Sequence, residues 1–161
     1  SACALRLMLA QPQVDVAFVN KRSKGLGITA LDRTARCGHA ELIHLLVQAR
    51  ADVHARRDDN GQTALHAAAE HGHAQCTQVL VQYGGVNAID HRGATPLHLC
   101  ATGFAFYGDR AGKLDVANLL LRAEASCELR NSEGRTALAC ALENRCDGLA
   151  VLIKSHAVRS V

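Results

Sequence analysis

Gly61-Gln-Thr-Ala-Leu-His66 and Gly93-Ala-Thr-Pro-Leu-His98 are one pattern written twice, and the fold follows from how often that pattern returns. Two weaker copies flank the pair, Gly27-Ile-Thr-Ala-Leu31 and Gly134-Arg-Thr-Ala-Leu138, so the leading glycines stand 34, 32 and 41 residues apart. Each copy runs into an alanine-rich stretch, then a glycine, then an apolar run: Leu42 to Val47, Val79 to Val81, Leu119 to Leu121 and Leu149 to Ile153. Turn-like stretches follow at Ala51-Asp-Val-His-Ala55 and Gly85-Val-Asn-Ala88. One unit therefore reads turn, short helix, tight glycine turn, longer helix, turn. A unit of this size cannot bury its own apolar face, so its stability comes from stacking on its neighbours.

Local chemistry supports that reading. Thr29, Thr63, Thr95 and Thr136 stand where a helix starts, and a threonine hydroxyl caps the free N–H groups of a first turn. Pro96 falls at the first helical position, where its missing N–H costs nothing. Gly38 and Gly72 suit the left-handed residue that ends a helix. Ala67, Ala68 and Ala101 allow close helix approach.

Composition narrows the class further. The chain has 161 residues, of which 28 are Ala and 21 Leu, with no Trp and 3% aromatics. A core of Ala and Leu means thin, closely packed helices. The 48% apolar content and net charge of +3 exclude a disordered chain. No run approaches the roughly 18 apolar residues of a membrane helix, and Ser1 to Ala10 does not resemble a signal peptide because Arg6 interrupts it. Seven cysteines, an odd number without a Cys-x-x-Cys, fit neither a disulfide framework nor a zinc ribbon. Free thiols point to an intracellular, reducing compartment: cytoplasm, nucleus or organelle matrix. The net charge is local. Residues 1–24 hold Arg6, Lys21, Arg22 and Lys24 against Asp15, while the other 137 residues balance 14 basic against 14 acidic groups. A broad basic face for nucleic acid is therefore absent. Lys21-Arg22-Ser-Lys24 fits a solvated loop, with a nuclear-import patch or an acidic-partner contact as the alternatives.

The repeating units resemble ankyrin repeats, above all Gly93-Ala-Thr-Pro-Leu-His98 and Gly61 through His73 with its Ala67-Ala68-Ala69 and Gly72-His73. The resemblance implies an all-α solenoid of stacked helix-turn-helix units with β-turn fingers. About four repeats plus an N-terminal half repeat fill one domain, residues 1–161: a partial repeat and loop at 1–26, then 27–60, 61–92, 93–133 and 134–161. The long third unit carries an eight-residue insert at 104–111. Ala4 to Leu9 followed by Val14 to Ala17 resembles the second helix and finger of a unit whose first helix is missing, so the natural protein is expected to continue N-terminally. Departures from the repeat are equally specific: Asp32 and Ala139 replace the histidine, and Arg50 and Glu124 replace a turn glycine.

Candidate chemistry is sparse. His66, His71 and His73, or His98 with Cys100, suggest a metal only superficially, because the repeat already uses His39, His66, His73 and His98 structurally and no ligand spacing is present. Cys100 and Cys140 fall at small buried positions, and Cys37 is the thiol expected at the surface. No catalytic arrangement and no phosphate loop can be read. No cofactor, no small-molecule substrate, no nucleic acid and no membrane insertion are expected.

The resemblance implies a non-catalytic protein-interaction module that binds a protein partner through a concave face of finger tips and first helices. On this chain that face should carry Arg57, Asp59, Asn60, Gln62, Glu70, His71, His91, Arg92, Arg130, Glu133, Arg135 and Asn144, with Ala94 and Ser132 between them. Three of the five aromatics fall in the insert, which makes Phe106, Tyr107 and Arg110 a candidate second contact. The alternative is a regulatory or targeting segment, or a structural subunit, of a larger enzyme, channel or assembly.

Overall fold

The computed structural model describes residues 15–102 and 110–159. Its helices are α1 (Val16–Val19), α2 (Ala30–Arg36), α3 (Ala40–Gln48), α4 (Ala64–His71), α5 (Ala74–Leu80), α6 (Pro96–Cys100), α7 (Arg110–Arg122), α8 (Ala137–Glu143) and α9 (Asp147–Arg159), and no strand occurs among the described residues. A 3-10 turn, Val81–Tyr83, extends α5. The helices form two layers. In one, the first helices pack in sequence, α2 on α4, α4 on α6 and α6 on α8; in the other, α3, α5, α7 and α9 do the same. This is the all-α repeat solenoid expected from the sequence.

Each first helix begins as its threonine dictates. Thr29, Thr95 and Thr136 accept the N–H of Asp32, His98 and Ala139 at 3.1, 3.4 and 3.2 Å. Pro96 opens α6, and Gly38 and Gly72 lie at φ 78° and 73°. Ala35, Ala67, Ala68, Ala69, Ala101 and Ala141 are completely buried, which lets the helix layer pack at close range. Ile43, Leu46, Leu97, Leu120, Leu149 and Ile153 fill the space between the layers. Each contributes about 1.5–3 kcal/mol of burial.

The units are tied together by polar groups as well. His66 Nδ1 accepts the Thr63 N–H at 3.2 Å, so its proton sits on Nε2 and donates to the Ala94 carbonyl of the next unit at 3.1 Å. His98 repeats the arrangement with the Thr95 N–H and the Arg135 carbonyl at 3.2 and 3.0 Å. The fingers make a second tie. Asp58 N–H donates to Leu26 O, His91 N–H to Asn60 O and Ser132 N–H to Arg92 O, at 3.0, 2.9 and 2.8 Å. Gly61 is required at this crossing: its φ is 72°, and a Cβ there would lie 2.4 Å from the His91 ring.

Three departures have physical causes. Val16–Val19 is a helical turn, not the turn-like finger expected over 14–17, because Asp15 Oδ1 accepts the Ala17 N–H and starts it. Helix α7 opens at Arg110, so the expected insert at 104–111 ends inside a helix. Gly112 does not take the left-handed conformation of Gly38 and Gly72, and the chain runs straight into α7. Phe104, Phe106 and Tyr107 lie outside the described residues, as do Leu5, Leu7 and Leu9. Arg50 and Glu124, which stand in for the turn glycine, do so at φ 62°, each at a cost on the order of 1 kcal/mol.

Asp32 is the weak point of the stack. It is buried at the histidine position of the first unit, 3% exposed, and neither carboxyl oxygen has a hydrogen-bond partner. Burial raises its pKa, against the opposing pull of the Arg36 and Arg57 guanidinium groups. A raised folded-state pKa means that the stability this group supplies is present at acid pH and lost as pH rises through that value. Asp32→His, which restores the donor to the next unit's Gln62 carbonyl, should stabilise the protein at pH 7 by about 1 kcal/mol. Asp32→Asn should gain more at pH 7 than at pH 4. Urea midpoints at the two pH values check this; a loss with both variants would contradict it.

Candidate functional site

The first helices and the fingers enclose a groove of about 570 Å3 across the second, third and fourth units. The fingers that form its wall are shaped by short side chains turned onto their own backbone. Asn60 Oδ1 accepts the Gln62 N–H at 3.0 Å, Asp90 Oδ1 accepts from Arg92 and Ala94 at 2.9 and 2.8 Å, and Asn131 Oδ1 accepts from Glu133 and Arg135 at 3.0 Å. Asp90 is buried and spent on this turn. The floor comes from residues four and seven positions after each capping threonine: Leu99 and Thr102 on and after α6, Glu70 on α4 and Cys140 on α8.

Nine of the residues expected on the concave face line this groove: Asp59, Asn60, Gln62, Glu70, His91, Arg92, Glu133, Arg135 and Asn144, with Ala94 and Ser132 beside them. Asp90, His98, Leu99, Thr102, Asn131 and Cys140 complete the lining and were not among those expected. The signal for Leu99, Thr102 and Cys140 was their helical spacing from Thr95 and Thr136. Arg57, His71 and Arg130 are not part of the lining. Arg57 grips Asp59 through Nε and Nη2 at 2.9 and 2.6 Å, lies 3.9 Å from Asp32, and its side chain is only 10% exposed. His71 accepts from Arg36 at 3.2 Å, and Arg130 caps the Gly134 carbonyl. Phe106 and Tyr107 lie outside the described residues. Arg110 opens α7, and its side chain is likewise not described.

The groove is charged but largely self-compensated. Arg135 pairs with both Glu133 and Glu143, Glu70 faces Arg36 at 3.8 Å, and the Arg57 hydrogen bond holds the Asp59 carboxyl below its usual range. Arg92 is exposed at the centre and has no ion pair among the described residues. Three buried thiols are poor nucleophiles: burial pushes Cys100 up to about 12 and Cys76 to about 11, and it raises Cys140. Among the described cysteines none is bonded to another, and Cys37 is the exposed one.

A stack of helix pairs with a finger-walled groove defines a helical repeat protein whose groove is shared among units. The three-copy model for ankyrin repeats matches residues 31–107, and the single ankyrin repeat model matches residues 92–132. Together these spans cover more than half of the chain, which belongs to the ankyrin repeat family. Members are generally protein–protein interaction modules and typically non-catalytic. No helix among the described residues is long and apolar enough to cross a membrane.

His98 couples the groove to the stack. Burial depresses the pKa of both His66 and His98 from the ordinary 6.5, because each ring must stay neutral to accept at Nδ1 and donate at Nε2. A depressed value in the folded state supplies stability above the unfolded pKa that is lost as pH falls through the folded one. Stability should therefore drop between pH 7 and pH 5. His66→Ala should cost on the order of 2 kcal/mol at pH 7 and show a shallower slope over that interval. An unchanged slope in denaturant titrations would count against the assignment.

Proposed function

We propose that the protein binds a protein partner in the groove formed by the fingers and first helices of its second to fourth units. The observation that supports this most is Arg92. It stands exposed and without an ion pair in the middle of a groove where Asp59, Glu70, Glu133 and Arg135 are ion-paired and Asp90 is held by backbone N–H groups. A charge so placed costs nothing in the free protein and gains a carboxylate in a complex. Leu99 and Cys140 add a small apolar floor, and Asn60, Ser132 and Asn144 add hydrogen-bonding capacity around it. The partner segment that fits is mixed in polarity with at least one acidic side chain. The thiols, none of them in a disulfide among the described residues, suit a reducing, intracellular setting, and the segment 104–111, with Tyr107 and Arg110, is proposed as an accessory contact.

Arg92→Glu should weaken binding of a captured partner by about tenfold, roughly 1.4 kcal/mol, and leave the melting temperature unchanged. Calorimetric titration against that partner is the check. Arg57 and Arg135 are unsuitable for the same reversal because each anchors its own carboxylates. Unchanged affinity in Arg92→Glu would place the binding site elsewhere on the molecule.

A further inference from the structure

The concave face continues beyond the groove into the first unit, and its chemistry changes there. Four and seven residues after the capping threonine, the later units carry Ala67 and Glu70, Leu99 and Thr102, Cys140 and Glu143; the first unit carries Arg33 and Arg36. Glu70, Leu99, Thr102 and Cys140 line the groove, so the two arginines occupy the same face one unit further on. Lys21 and Lys24, on the finger of the same unit, are exposed as well.

Three of these cations are uncompensated among the described residues, and the fourth, Arg36, is paired with Glu70 and His71. Arg33, Lys21 and Lys24 have no ion pair among the described residues, whereas Arg22 is held by Asp58 at 2.7 Å. Arg36 faces Glu70 at 3.8 Å and leaves its Nε without an acceptor. The one carboxylate within α2, Asp32, is buried behind this surface. Residues 1–14 cannot neutralise it, since they contain Arg6 and no Asp or Glu. The whole net charge of +3 equals that of residues 1–24.

We infer that the first-unit end of the concave face, Lys21, Lys24, Arg33 and Arg36, is a docking surface for an acidic peptide segment. Guanidinium groups spaced one helical turn apart suit successive carboxylates, which they can take in bidentate fashion. A nucleic acid fits less well: its regular phosphate track would run within one unit onto Asp58, Asp59 and Glu70. The inference does not require the groove to be occupied, and shares none of its lining residues.

The probe is fluorescein-labelled deca-glutamate, followed by fluorescence anisotropy against the whole chain at about 50 mM salt, where screening is weak. Saturable binding is expected, lost with deca-lysine and weakened about tenfold in Lys24→Glu/Arg33→Glu. Lys24→Gln/Arg33→Gln, which introduces no repulsion, should give a smaller loss in the same direction, with circular dichroism melts showing both variants folded. Lys154→Glu, which reverses an exposed cation on α9 at the other end of the stack, should leave deca-glutamate binding unaltered, which separates this surface from a general response to net charge. The proposal is overturned if deca-glutamate does not bind, if neither double variant weakens it, or if ten-residue oligo-dT binds more tightly through the same residues.

Discussion

The neutral histidine that reaches from one unit to the carbonyl of the next is the bond on which the rest of the structure depends. His66 and His98 each fix three things at once: the start of their own helix, the tautomer of their ring and the position of the following finger. The alanines around them permit the close spacing that the bond needs, since a larger side chain at Ala67 or Ala101 would push the helices apart. Finger-to-finger main-chain bonds add a second tie at the base of the same fingers, and this one is also made in the first unit, where Asp32 replaces the histidine.

The groove is a consequence of that geometry. Where the histidine tie is present, the fingers stand in register and enclose a continuous surface over three units. Where it is absent, the unit differs. The first carries Asp32, which has no hydrogen-bond partner, and its face is cationic. The last carries Ala139 in place of the histidine, and Lys154 at the position that Val47, Val81 and Leu121 occupy in the earlier units. Groove and stacking core are thus two faces of the same short helices, separated by one or two residues.

Much of this was legible in the sequence for a specific reason. Thr, His and Gly recur at a fixed register, and each has one structural role that other residues fill badly: cap, bridging donor, left-handed turn. The groove was less legible. Cys140 reads as a small buried residue, and only the stacking of neighbouring fingers leaves it, with Leu99, at the floor. Arg57 reads as a surface charge, yet its guanidinium folds back onto Asp59 two residues away, a contact that spacing alone does not signal. The one-turn helix at Val16–Val19 depends on a single Asp15 cap, and the early start of α7 on a glycine that declines the left-handed conformation.

The central claim is that the fingers belong to the rigid stack and that the groove is therefore preformed. Native-state hydrogen exchange at the finger amides of His91 and Ser132 tests it most directly. If the claim is right, both amides exchange as slowly as those in α4 and α6, opening only when the units separate. Exchange of His91 and Ser132 near the rate of free peptide, with α4 and α6 still protected, would show that the groove wall is not part of the fold.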